Sequence, residues 1–456
     1  MKLPSGPQTL PLIQQLQWIA SPLEYLETSA KAHGDTFTAR LGPFEFVMLS
    51  DPRAIQELFT ADPKLFASGE VNGILRPLVG DQSVILLDGF RHQRQRQLLT
   101  PPFHGERMRA YGNLICDITL AVISQRSAGK PFPVRSATQE ITLRVILDAV
   151  FGMHEGERFE QLRSLLTSML DSISSPWSSA LLFLPWLQRD LGAWSPWGRF
   201  LRQQQQIDNL IYAEIQQRRE QPDPSRTDIL SLLMSAVDAE GQPMTDRELR
   251  DELITLLVAG HETTASALTW ALYWIHTLPD VREKLLSELD SLGGDLDPNA
   301  VAKLPYLNAV CSETLRIYPV AMLTFPRKVK APVKIGGWEF EPGAVVIGNI
   351  YMTHHREDIY PEPKRFKPER FLEKQFSPYE YLPFGGGNRR CIGMAFALFE
   401  MKLALATIVS RYEMAMADSR PVKPVRRGLT LAAPASMAMA IAGERQPQVK
   451  TTLVPV

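Results

Sequence analysis

Apolar positions along this chain recur mostly at helical spacing. The clearest run opens at Thr245-x-x-Glu248, a capping box in which hydroxyl and carboxylate satisfy each other's backbone donors. It extends to about residue 277, through Leu249, Leu253, Leu256, then Gly260, Thr263, Ala267, then Trp270 and Trp274. Steps of four and three alternate without a break, which predicts one amphipathic helix. At about 1.5 Å per residue it would reach roughly 50 Å. At its centre the large side chains vanish: Ala259 and Gly260 are small, Thr263 is polar, and Glu262 lies beside the gap. Small residues there suit a helix crossing at the glycine or a close-lying ligand.

Further helical patterns cover 22–32, 51–60, most of 140–219, 305–318 and 394–409. Asp51 reads as a cap, with Pro52 in the first helical position. Alternation predicts a hairpin over 37–48 about Gly42-Pro43, a second across Gly336-Gly337, and a strand at 345–347. Residues 69–89 read as an apolar loop over a hydrophobic site. Residues 176–197, with Trp177, Phe183, Trp186, Trp194 and Trp197, are too broken by prolines for one helix. They suit a core segment, a mobile lid or a membrane-facing rim.

Composition narrows the function. Basic and acidic residues number 49 and 50, which argues against nucleic-acid binding by a basic surface. Three cysteines, Cys116, Cys311 and Cys391, are too few and too scattered for a disulfide framework. The start has no signal-peptide pattern and no apolar run of about 20 residues, so no transmembrane anchor and a cytoplasmic location are expected. Residues 1–19 read as a proline-containing N-terminal segment, and 443–456 are expected to be disordered.

The candidate chemistry centres on Phe384-Gly385-Gly386-Gly387-Asn388-Arg389-Arg390-Cys391-Ile392-Gly393. Three glycines favour a tight loop that lies close to something bulky. Cys391 then stands at a helix mouth, where the dipole and free N–H groups favour thiolate. Such a cysteine is a metal ligand or a nucleophile. No second Cys or His lies two to four residues away, which removes a zinc half-site. His261-Glu262 lacks the second histidine of a zinc protease, since position 265 is Ala. His92 and Arg96 share a face of a basic segment, and Glu313 and Arg316 share another helix face.

Taken in order, these pieces resemble the cytochrome P-450 superfamily of haem-thiolate monooxygenases. The F-x-x-G-x-R-x-C-x-G signature is met by Phe384, Gly387, Arg389, Cys391 and Gly393. The A-G-x-[DE]-T motif is Ala259 to Thr263, E-x-x-R is Glu313 to Arg316, and P-E-R-F is Pro368 to Phe371. The resemblance spans essentially the whole chain, to a last β-hairpin around Met437. It is closest to soluble bacterial members, particularly the cyanobacterial group related to fatty-acid and terpene hydroxylases.

That resemblance implies a single domain over 1–456, mainly α with a smaller β portion. Haem b would lie between the long distal helix and the helix of the cysteine loop. Cys391 would be the proximal iron ligand. Phe384, Gly387 and Gly393 would shape the loop around the porphyrin. Arg389, His92, Arg96 and Arg327 would meet the propionates. Ala259 and Gly260 would leave room for O2, and Thr263 and Glu262 would manage its protons. Glu313, Arg316 and Arg370 would form a buried triad on the proximal side.

Implied partners follow. Electrons would come from NAD(P)H through a ferredoxin or flavodoxin with its reductase, docking near Lys364, Arg365, Lys367, Arg390 and Lys402. The substrate would be a hydrophobic small molecule, a long-chain fatty acid or terpenoid, and the enzyme a monomer. Expected pocket walls are Val71, Ile74, Leu75, Val258, Ala259, Met322, Leu323, Thr324 and Leu431; no arginine stands out as a carboxylate anchor, although Arg76 could serve as one. A peroxygenase, a peroxide isomerase or a haem-based sensor are the alternatives. The first two tend to lose the acid–threonine pair that Glu262 and Thr263 keep.

Overall fold

The capping box forms as the spacing predicts. Glu248 N–H donates to Thr245 Oγ1 (3.2 Å), and Thr245 N–H donates to the Glu248 carboxylate (2.8 Å). The helix it starts, Asp246–Thr277, is the longest element of the computed structural model. That structure describes residues 3–42, 44–103, 107–153, 155–174, 188–293 and 296–446. Trp177, Phe183 and Trp186 lie outside the described residues. Of the other tryptophans in that stretch, Trp197 is buried and stacks on Phe200, whereas Trp194 is exposed.

The long helix is buried along most of its length because its stripe meets helices on several sides. It packs most extensively on helix Val134–Phe151, and also on helices Pro305–Ile317 and Met394–Arg411. Leu253, Leu257, Leu268, Ile141, Val145 and Leu403 belong to one continuous core. Helix Val134–Phe151 stops at Gly152, whose φ of 58° is left-handed and suits glycine. Helices Glu157–Ser174 and Pro196–Glu220 complete the predicted helical stretch.

Among the described residues, twelve short strands form the β portion. β1 (Thr36–Leu41) and β2 (Phe44–Leu49) make the predicted hairpin, with Thr38 opposite Val47. β3 (Phe66–Ala67), β5 (Arg327–Val329) and β8 (Val345–Gly348) extend it to a five-stranded sheet, ordered β1-β2-β8-β5-β3. β8 runs parallel to β2 and antiparallel to β5. β6 (Val333–Ile335) pairs with β7 (Trp338–Phe340) across the Gly336-Gly337 turn. β4 (Phe132–Pro133), β12 (Ala438–Glu444) and β9 (Tyr412–Met416) form one sheet, and β10 (Val425–Arg427) with β11 (Thr430–Ala432) another.

Three expectations change. Residues 69–89 are not a plain loop: Val71–Leu75 is a 3-10 turn and Arg76–Val79 a short helix. Helix Arg107–Ser124 was not read from the sequence. Residues 443 and 444 are ordered in β12, where Gly443 pairs with Glu413 and Glu444 with Tyr412. Among the described residues, no helix is long and apolar enough to cross a membrane.

Candidate active site

The cysteine loop is shaped by glycines that meet protein on one side only. Gly385 and Gly387 take φ of 65° and 63°, the left-handed region that favours glycine. A Cβ on Gly386 would fall 2.3 Å from the Phe59 ring, and one on Gly387 2.9 Å from the Phe59 carbonyl oxygen. Helix Pro52–Thr60 therefore braces the loop from outside. A Cβ on Gly393 would meet nothing within 4 Å. Gly393 thus borders open space rather than packed protein.

Cys391 has accessible side-chain surface although protein encloses it almost completely. That combination describes a side chain facing an interior space. Its N–H donates to the Phe384 carbonyl (3.0 Å), which ties the two ends of the signature together. Burial pushes the thiol pKa up, although the Gly393 N–H, Arg96 and Arg390 pull it down. The helix mouth alone therefore does not secure a thiolate, contrary to the expectation from the dipole. A coordinated metal ion would supply the missing stabilisation, because a ligating thiol is deprotonated outright.

Four basic side chains converge near this loop. Burial and the charges of Arg389, Arg96 and Arg327 drive the His92 imidazole down to about 3. Burial, then Arg389, lowers Arg327 to about 10. Arg327 donates to the Leu58 carbonyl (2.9 Å) and lies over the rings of Phe59 and Phe66. Arg389 donates to the carbonyls of Val84 (3.0 Å) and Leu87 (2.5 Å) and to the Asp88 carboxylate (2.6 Å). Among the described residues, no carboxylate pairs with Arg96 or Arg327. Three partly to fully buried guanidiniums beside a neutral imidazole, with Asp88 as the one carboxylate partner among the described residues, invite further anions from a ligand.

Opposite in character is the centre of the long helix. Ala259 is exposed, and Leu256, Val258, Gly260, Glu262 and Thr263 around it are only partly buried, in a helix that is otherwise mostly buried. Thr263 Oγ1 donates to the Ala259 carbonyl (2.5 Å). Gly260 has a different reason to be small: a Cβ there would lie 3.0 Å from Ile146 Cδ1. The glycine thus permits the close crossing with helix Val134–Phe151, and Ala259 rather than Gly260 makes the opening. Glu262 ion-pairs with Arg135 and accepts from Gln139 Nε2 (3.0 Å).

The frame on the other side is fully buried. Arg316 Nε donates to Glu313 (2.6 Å), and Arg370 Nε donates to its other oxygen (3.1 Å). Lys367 N–H adds a bond to Glu313 (2.8 Å), Arg316 also donates to the His354 carbonyl (2.8 Å), and its guanidinium covers the Tyr360 ring.

The expected pocket walls divide. Ile74, Leu75, Val258, Ala259 and Leu323 keep accessible surface. Val71, Met322, Thr324 and Leu431 are buried. Within 321–325, Met322 and Thr324 turn inward while their neighbours stay more open. Met322 packs with Leu431 in a core beneath β1, and Thr324 Oγ1 accepts from the Gly348 N–H (2.9 Å). Ala321, Leu323 and Phe325 are on the more open face. Arg76 is exposed and pairs with Asp81 (3.3 Å), so it is not a free carboxylate anchor. In the expected docking patch, Lys364, Arg365 and Lys367 pair with Glu27, Glu362 and Glu373. Lys402 turns inward to the Ala302 carbonyl (3.0 Å), leaving exposed Arg390 beside the cysteine.

The sequence reading missed Arg135, Gln139, Asp88 and Phe59. Each acts across a long sequence separation, and none belongs to a local pattern that could have marked it.

A flat, metal-bearing group with two carboxylates answers these features together: a thiol facing open space, surplus buried cations, and a helix thinned at its centre. No cluster of three or more His, Cys, Asp or Glu side chains competes as a metal site among the described residues. The class is that of haem-thiolate proteins. The cytochrome P-450 family profile matches residues 4–439. Putative cytochrome P-450 135B1 of Mycobacterium tuberculosis is 38% identical over 426 residues, 93% of this chain and 88% of that protein. Putative cytochrome P-450 135A1 of the same organism is 35% identical, covering 94% of this chain and 92% of its own length. A retinoic acid bound cyanobacterial protein, CYP120A1, superposes with a TM-score of 0.83 at 24% identity, over 97% of this chain and all of that one.

The chain belongs to the cytochrome P-450 family. It is an oxidoreductase of the monooxygenase type, using haem b, O2 and electrons from NAD(P)H delivered through a redox partner.

Proposed function

We propose that this enzyme inserts one oxygen atom from O2 into a long-chain fatty acid, a terpenoid or a similar lipid. The reaction is C–H hydroxylation or epoxidation. The carrying observation is that the accessible walls are apolar at Ile74, Leu75, Val258, Ala259 and Leu323. Among the described residues these walls carry no charge, which favours recognition by shape and desolvation. Retinoic acid, bound in the cyanobacterial fold neighbour, joins the compounds to be tested. Ferredoxin or flavodoxin is the proposed electron donor, approaching Arg390. We infer that the chain is one catalytic domain and works as a monomer.

The geometry supports these roles. Cys391 would hold the iron of the haem, and Arg96, Arg327, Arg389 and His92 would meet its propionates. Haem, when bound, supplies the redox chemistry that activates O2. The protein's task is protons. One oxygen atom goes to the substrate and the other leaves as water, which takes two protons and two electrons. Thr263 and Glu262, next to the opening at Ala259, are the groups that place those protons. Protons arriving at the wrong oxygen release hydrogen peroxide instead.

The test is a screen of fatty acids, terpenes and retinoids for a low-to-high-spin Soret shift, followed by mass spectrometry of products. A shift with oxygenated product supports the reading, and hits confined to small polar aromatics would overturn it. Thr263→Ala is expected to raise peroxide release several-fold at the expense of product. Unchanged coupling would remove Thr263 from proton placement.

A further inference from the structure

Two consecutive arginines in the hairpin β10–β11 turn to opposite sides. Arg426 stands opposite Leu431, and Arg427 opposite Thr430. Side chains directly opposed in an antiparallel pair share a face. Leu431 packs beneath β1, and the Arg426 guanidinium lies over Trp18 on that same side. Arg426 Nε also donates to the Gly428 carbonyl (2.9 Å). Arg427 occupies the other face, toward the start of helix Val134–Phe151 and the end of helix Glu157–Ser174. There Arg135 meets it as a like charge, and Asp171 lies 3.9 Å away. That distance is the outer limit of an ion pair, and the Asp171 side chain is 59% exposed. Neither Arg427 Nε nor Arg135 Nε, both buried, has an acceptor among the described residues. Burial lowers the Arg427 pKa, and Asp171 opposes this only in part. The guanidinium of Arg135 is engaged by Glu262, one turn from the opening at Ala259. The hairpin is held beside the wall at Leu323, because Leu431 N–H donates to the Val320 carbonyl (2.8 Å) and β11 packs on the long helix. Two guanidiniums thus stand just past the apolar walls, and the one loose carboxylate beside Arg427 is mostly in solvent.

We propose that Arg427 anchors a carboxylate at one end of the substrate, so that the lipid is an acid, either a fatty acid or a terpenoid acid. This rests on the lipid oxygenation proposed above and narrows it. A guanidinium short of acceptors presents a fork that matches a carboxylate with two parallel hydrogen bonds. The ligand carboxylate fills that fork and replaces the loose contact with Asp171. Arg135 adds attraction at a distance while it keeps Glu262. The apolar tail then runs past Leu323 and Val258 toward the opening at Ala259. Charge fixes one end of the substrate, and the uncharged walls sort the rest by shape. Arg76, held by Asp81, is not needed for this part.

The experiment is a Soret titration of the ferric haem-loaded enzyme with palmitate and retinoate, each beside its methyl ester and its alcohol. The three members of a set share one tail and differ in the charge of the head. The acid is expected to bind about tenfold more tightly than its ester, the effect of hydrogen bonds to a charged group. Arg427→Gln should remove that preference by weakening the acid, with the ester changed less than about twofold. Asp171→Asn removes the competing anion and should tighten the acid alone. That exposed position serves where Arg427→Gln does not take up haem. An acid preference that survives Arg427→Gln, or an acid affinity unmoved in Asp171→Asn where the former fails, overturns the anchor. Shifts confined to esters, alcohols or hydrocarbons overturn it too, yet leave lipid oxygenation standing. No shift with any lipid overturns both.

Discussion

The two sides of the site are built on opposite principles. The cysteine side is over-determined. Glu313 accepts from buried Arg316 and Arg370 and from the Lys367 N–H, and the loop is pinned by Phe59 and the Phe384 carbonyl. The long-helix side is thinned by small residues, and its acid is held by one guanidinium and one amide. Removing any one cysteine-side contact leaves an uncompensated charge or a clash, whereas the long-helix side has contacts that can exchange. A ligand atom that must not move and protons that must move ask for that difference.

The sharpest break in the contrast is Cys391→Ser. It removes the only proposed iron ligand, so the thiolate signature of the reduced carbonyl complex should vanish and turnover with it. An unaltered spectrum would place the ligand elsewhere. Next is Glu313→Ala, which strands two buried guanidiniums. Such a loss costs about 3–5 kcal/mol. Urea denaturation should register it, together with poor haem incorporation. A cost below about 1 kcal/mol, the level of a surface pair, would show that the frame is not rigid.

How far the sequence reveals this contrast depends on the range of each interaction. The capping box at Thr245 and the Asp51 cap are local, and both form, Asp51 accepting from Arg53 N–H at 2.7 Å. Glu313 and Arg316 share a helix face three residues apart, so their pairing was readable, but its complete burial was not. Arg135 meets Glu262 across 127 positions, beyond any periodicity. Strands of two or three residues, such as β3 and β4, are too short for alternation to declare itself. Met322 and Thr324 are buried where open walls were expected, because Met322 packs with Leu431 under β1 and Thr324 Oγ1 accepts from the distant Gly348 N–H, contacts that no local pattern marks.

Within the cysteine loop, two glycines separate protein packing from ligand packing. Gly387→Ala adds a Cβ at positive φ, costing about 1–2 kcal/mol, and presses on the Phe59 carbonyl and Arg327. It should lower stability with or without haem. Gly393→Ala meets no protein atom within 4 Å. It should leave the haem-free protein's stability within about 0.5 kcal/mol yet weaken haem retention. Equal losses in both variants, measured by denaturation and by haem transfer to a scavenger, would mean that Gly393 borders protein and not the cofactor.

The last expected effect concerns acid. His261, between the long helix and helix Val134–Phe151, is buried and lowered from its ordinary 6.5 to about 3. In the unfolded chain it takes a proton near 6.5, and in the folded protein only near 3. Between those values the unfolded state binds more protons, so stability falls as pH falls through this window. Thr142 Oγ1 lies 2.9 Å from Nδ1, a contact that a neutral side chain keeps. His354 behaves alike on the other side, where Leu382 N–H donates to Nε2 (3.0 Å), so acid weakens both halves. His261→Gln should therefore flatten, without abolishing, the decline in unfolding free energy between pH 7 and pH 5, by one proton's share of the slope. Denaturation series at the two pH values measure it. An unchanged slope would mean that His261 is protonated in the folded state, and that the long-helix side is wetter than its packing against Thr142 allows.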